Sequence, residues 1–77
     1  MIFVYITCQD KKEAQKIGQA LVKERLAGCV NYWPIESVYH WRGKLAKDKE
    51  FVLIVKTLES KLAKVHKAIN ILHSLKP

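Results

Sequence analysis

The chain has 77 residues, 49% of them apolar, and carries 14 Lys and Arg against 7 Asp and Glu, a formal charge of +7. That length supports a single domain over residues 1–77 with a thin margin, because so small a unit buries only about 60% of its unfolded surface. The apolar content excludes a disordered chain, no apolar run approaches the roughly 18 residues that span a bilayer, and "MIFVYITCQD" has neither a basic n-region nor a small-residue cleavage site, so a cytoplasmic protein without membrane association is expected.

The opening "MIFVYIT" is apolar, β-branched and aromatic with no polar alternation, the pattern of a strand buried on both sides and central in its sheet. Asp10 and Glu13 then form the signature of a capping box at a helix start. Ala14, Ile17, Leu21, Val22 and Leu26 follow at helical spacing, and Gly28 is placed to take the left-handed conformation that ends the helix. From Cys29 to Trp41 the pattern is extended, with Pro34 marking a bulge or an edge. Residues 43–49 are polar enough to turn, and "EFVLIVK" is a further strand, so residues 29–56 read as a long two-stranded ribbon. Thr57 is placed to cap a second helix striped by Leu58, Leu62, Val65, Ile69 and Leu72. The order β-α-β-β-α is α+β, the ferredoxin-like split βαβ plan with its last strand missing. In that plan the outer edge of "MIFVYIT" is left without a partner strand.

Twelve of the cations are Lys and are spread along the chain, which fits solvated helix faces better than a nucleic-acid footprint. Cys8 and Cys29 form no CxxC pair, and in a reducing compartment each is a small core residue or a ligand rather than half of a disulfide. If Cys8, at a strand end, is a ligand, its thiolate is expected to be accessible and the more reactive of the two. No GxSxG, HExxH or Gly-rich phosphate loop appears, so neither catalysis nor an organic cofactor is expected.

Several fixed spacings occur in one order: Thr7-Cys8 with Asp10 and Glu13-Ala14, then "ERLAGCVN", Pro34, the run Ser37, Tyr39, Trp41, Gly43, Lys44, and finally Glu50 and Lys56-Thr57. Together they make the chain resemble the CutA divalent-cation-tolerance family along nearly its whole length. The resemblance implies a homotrimer assembled through the long ribbon, and binding of copper or another divalent metal ion. It carries the metal role onto Cys8 and His73. The match departs in two places: the family's His-Pro-Tyr is here His73-Ser74-Leu75, with the strand and closing helix that follow it missing, and Gly28 precedes Cys29 where the family has Ala.

The residues themselves leave other readings open. Cys8 could be an inert core thiol, and His66 reads as a surface histidine. Tyr39, Trp41, Glu50 and Lys56 could line a cleft for a small anion, or could be interface packing with a ribbon salt bridge. A basic β-α-β-β-α chain also fits an RNA-recognition module, for which Phe3, Tyr5 and Phe51 are the available stacking aromatics, although "KEFVLIVK" lacks the glycine-aromatic alternation of that module.

Overall fold

The structure, a computed structural model, describes residues 1–74. Strand β1 (Ile2–Cys8) leads into helix α1 (Lys11–Lys23); strands β2 (Cys29–Trp41) and β3 (Lys44–Thr57) form the ribbon; a single 3-10 turn (Glu59–Lys61) precedes helix α2 (Leu62–Ser74). The sheet order is β1-β3-β2, with both flanking strands antiparallel to β3. β1 and β2 therefore run parallel to each other on either side of β3, joined by the crossover through α1.

Register places alternate residues on opposite faces. On one face Val4, Ile6 and Cys8 lie opposite Val55, Leu53 and Phe51. Both helices cover this face: Ile6, Cys8, Leu53 and Val55 join Ala14, Ile17, Leu21, Val65 and Ile69 in one buried cluster. Fully burying a side chain such as Leu53 contributes about 1.5–3 kcal/mol. α1 lies close enough to β2 that a Cβ on Gly18 would sit 2.9 Å from Val30 Cγ2. The other face has no helix on it. There Phe3 and Tyr5 are 65% and 62% exposed, so β1 is buried on one side only, and β3 is the central strand of the described residues. The apolar run misled because Phe3 and Tyr5 occupy positions that nothing among the described residues covers. The outer edge of β1 carries no partner strand among the described residues.

Three local expectations are corrected, and that for Pro34 is settled as an edge position. α1 ends at Lys23 with Arg25, not Gly28, in the left-handed region at φ 59°. Leu26 N donates to Leu21 O at 2.9 Å and Arg25 N to Val22 O at 3.0 Å, the paired closure that satisfies the last carbonyls. The ribbon turns over Arg42 and Gly43 alone, at φ 52° and 75°, rather than over residues 43–49; two successive left-handed residues match the right-handed twist of the strands they join, and only Gly43 adopts that conformation without strain. Pro34 pairs in continuous register opposite Phe51, so it makes no bulge, and its missing N–H is harmless on an edge strand. Thr57 ends β3 instead of capping a helix: it is buried, and its hydroxyl donates to Leu26 O at 2.5 Å.

Candidate functional site

β1 ends where α1 begins and α2 finishes, so three elements converge on Cys8. Asp10 caps α1, accepting from Glu13 N at 2.8 Å, while Glu13 folds back so that its Oε1 accepts from Gln9 N at 2.9 Å. This capping box holds a carboxylate beside the residue that follows Cys8. α2, running back across the sheet, brings His73 to the same place in its last turn. One donor atom each of Cys8, Glu13 and His73 lie within 4.8 Å of one another.

The donor set is a thiol, a carboxylate and an imidazole, a mixture that suits zinc or copper better than magnesium or calcium. Donors around a tetrahedral ion sit about 3.5 Å apart, given metal–ligand distances near 2.0–2.3 Å. The observed spacing needs only a modest closing of three side chains, two of them half-buried. Further support comes from His73 Nε2, which is buried and has no hydrogen-bond partner. Leaving such a nitrogen unmatched costs about 1–3 kcal/mol, a penalty that an ion or a moved proton donor would remove.

Cys8 is 1% exposed whereas Cys29 is on the surface, the reverse of the expected order of accessibility. Burial follows from the even-numbered register that points Cys8, like Ile6, into the helix-covered face. A small polar pocket lined by Thr7, Cys8, Gln9, Asp48, Lys49 and Glu50 reaches Cys8 from the β3 side. Its two carboxylates outnumber its single lysine, so it favours the approach of a cation.

The remaining residues singled out in the sequence do not meet in one cleft of a single chain. Tyr39 and Trp41 stand near the ribbon tip, opposite Ala46 and Lys44. Glu50 lines the pocket beside Cys8, and Lys56 lines a different pocket at the far end of β3. Tyr39 hydroxyl donates to Asp48 Oδ2 at 2.6 Å; this bond, with a smaller contribution from the charges of Asp48 and Glu50, raises the phenol above the ordinary tyrosine range. Lys56 lies 5.4 Å from the Phe3 ring centroid, and Arg42 5.6 Å from that of Trp41. His66 is exposed, as read from the sequence.

All four residues share one property, however. Register places Tyr39, Trp41, Glu50 and Lys56 on the open sheet face, together with Phe3, Tyr5 and Trp33. Five aromatic side chains thus stand on the face that no helix covers. Phe51 is on the opposite, helix-covered face, so the open face of β3 carries the buried Val52 with Ile54 and Lys56 and offers no aromatic for base stacking.

Glu13 was missed as a candidate ligand because its capping role already accounted for it. The signal was available: a capping box beginning two residues after a cysteine folds the N3 carboxylate toward that cysteine.

Fold and site together define a small split-βαβ protein with a soft-donor cluster where β1 ends and an aromatic-bearing ribbon that projects beyond that same end of the sheet. The family of the CutA1 divalent ion tolerance protein matches residues 2–76. The chain belongs to this family. It is 42% identical over 72 residues to the divalent-cation tolerance protein CutA of Archaeoglobus fulgidus, an alignment covering 94% of this chain and 71% of that protein. It is likewise 42% identical over 73 residues to a chloroplastic CutA of Arabidopsis thaliana, covering 94% of this chain but 40% of that one. Among solved structures, CutA from Synechococcus elongatus superposes with a TM-score of 0.87 at 32% identity, covering 92% of this chain and 63% of that one. The A. fulgidus structure gives 0.83 at 40% identity, over 91% and 69%.

Proposed function

We propose that this chain binds a soft transition-metal ion, copper foremost and zinc next, through Cys8, Glu13 and His73, and contributes to divalent-cation tolerance by binding and release rather than by catalysis. The observation that carries the reading is the convergence of a thiol, a carboxylate and an imidazole within 4.8 Å, with a buried histidine nitrogen that has no hydrogen-bond partner. In this reading the ion is cargo. Cys8 supplies the soft donor, His73 an imidazole, and Glu13 a charge that offsets the ion while its second role, capping α1, keeps it in place.

The same reading takes the protein as a homotrimer whose copies cover one another's open sheet faces. Support comes from the five exposed or half-exposed aromatics on that face, since aromatic residues supply the largest contact area per side chain in such interfaces, and from the ribbon, which extends past the region the helices cover.

Copper(I) titration against a competing chelator tests the site. Wild type should take up one ion per chain with protection of Cys8 from alkylation, Cys8→Ser should abolish that uptake with the fold unchanged, and His73→Gln should weaken it. Equal affinity in wild type and Cys8→Ser would rule the site out. Sedimentation at micromolar concentration tests the assembly, and a compact monomer there would sink it.

A further inference from the structure

At the end of the sheet opposite Cys8, the close of α1, the end of β3 and the 3-10 turn enclose a pocket lined by Val22, Leu26 and Leu58 together with Arg25, Lys56 and Lys61. Its distance from the donor cluster is set by the length of β1, on the order of 20 Å for a seven-residue strand. We propose that this pocket is a second binding site, for a small amphipathic anion: one carboxylate or phosphate head on a short alkyl or aryl body.

Three observations carry this. Every charged residue lining the pocket is cationic, and none of the three is in an ion pair among the described residues. Arg25 and Lys56 therefore present positive charge that no ion pair among the described residues neutralises. Next, the wall is fixed rather than loose. Lys61 Nζ donates to the Arg25 carbonyl at 2.7 Å, Gly28 N donates to Lys56 O at 3.0 Å, and Thr57 hydroxyl donates to the Leu26 carbonyl at 2.5 Å. These bonds tie the three segments to one another, with Arg25 held in the left-handed closure of α1. Finally, the apolar part of the lining is open to water, with Val22 41% and Leu58 51% exposed.

The combination selects the ligand. A neutral apolar molecule would cover Val22 and Leu58 but leave the cations unmatched, and a bare inorganic anion would meet the cations but leave the apolar wall wet. An anion with an apolar body does both. Because Lys61 already donates to a backbone carbonyl and the Lys56 ammonium stands over the Phe3 ring, Arg25 is the principal anchor for the head group, with Lys56 adding charge at the rim.

The probe is octanoate, titrated into the full chain and followed by amide chemical shifts, with octanol and acetate as separate arms. Octanoate should shift the amides of residues 25–28 and 56–61 saturably, while octanol and acetate do so far more weakly, and added salt should weaken the octanoate response. Arg25→Asn removes the charge but keeps a residue that tolerates the left-handed backbone. Like Lys56→Gln, it should weaken octanoate by about three- to fivefold, the scale of one partly exposed charge pair. Octanol binding as tightly as octanoate, shifts centred on Phe3, Tyr5 and Trp33, affinity unchanged in both folded variants, or no saturable shift in wild type would each overturn the site. Copper uptake measured on the same samples reports on Cys8 separately, so failure of either site is read apart from the other.

Discussion

Residues 51–57 and residues 44–50 belong to one strand, β3, and live in different surroundings. In the first half Val52, Leu53, Val55 and Thr57 are buried; in the second no residue is. The partner strand repeats the contrast more severely, since β2 has no buried residue anywhere along it. Yet the bare half is not polar: Val38, Tyr39, Trp41 and Leu45 all stand exposed there. A strand's backbone pairing extends as far as its turn allows, whereas its side chains are covered mainly where the helices reach, Val52 opposite Thr7 and Trp33 on the other face being the exception. The described residues build the first completely and the second only in part, so the ribbon carries apolar side chains that the helices leave exposed.

The contrast is broken most strongly by a change in the covered half. Leu53→Ala removes a fully buried side chain from between both helices and should cost about 2–5 kcal/mol, read as a lowered denaturant midpoint with an unchanged slope. In the bare half, Trp41→Ala should leave the helices and covered sheet folded, as judged by amide protection, while weakening assembly by about 2 kcal/mol or more, as an interface anchor does; a shift in the concentration dependence of sedimentation checks it. If Trp41→Ala instead lowered stability as much as Leu53→Ala with assembly untouched, the division between the halves would be wrong.

Gly18→Ala sharpens the comparison at the boundary. Alanine gains about 1 kcal/mol of helix propensity, but its Cβ would meet Val30 Cγ2 at 2.9 Å, and overpacking of that kind costs about 1–3 kcal/mol. We expect a net loss of about 1 kcal/mol, relieved when Val30→Ala is combined with it.

The smallest effect is one of pH. The hydrogen bond to Asp48 raises the Tyr39 phenol in the folded chain, so its stabilising contribution is fully present below the ordinary tyrosine range and is lost as pH rises through the raised value. Absorbance titration should therefore show a tyrosine step above about pH 10 that Tyr39→Phe removes.

Much of this was legible in the residues. The helices announced themselves through capping chemistry and the spacing of Ile17, Leu21, Val65 and Ile69, and the ribbon through its extended run. What misled was Phe3 and Tyr5, whose apolar character does not say whether the chain's own helices cover them. Arg25 and Arg42 misled differently: both take left-handed conformations that residue preference assigns to Gly28 or to a longer polar loop, because the surrounding hydrogen bonds outweigh a local strain of about 1 kcal/mol. Cys8 and His73 were legible through the family pattern, but Glu13 became a candidate ligand only once the capping box was seen in three dimensions.

The two-residue turn at Arg42 and Gly43 also has a bearing on the order in which the chain folds. It sets Trp41 opposite Lys44 with almost no loop to close, whereas pairing Ile2 with Thr57 must gather nearly the whole chain. Local contacts of the first kind form in microseconds, and long-range pairings pay their closure entropy before anything rewards it. The ribbon should therefore zip from its tip, with β1 docking last. Mutations at the turn would then slow folding, while mutations in β1 would chiefly speed unfolding. A slip of one residue at the tip would turn Trp33, Tyr39 and Trp41 to the opposite face before β1 arrived to correct it. The hinge of the ribbon is thus the place where the handedness of the aromatic surface is decided, at the point in the fold furthest from the hydrophobic core.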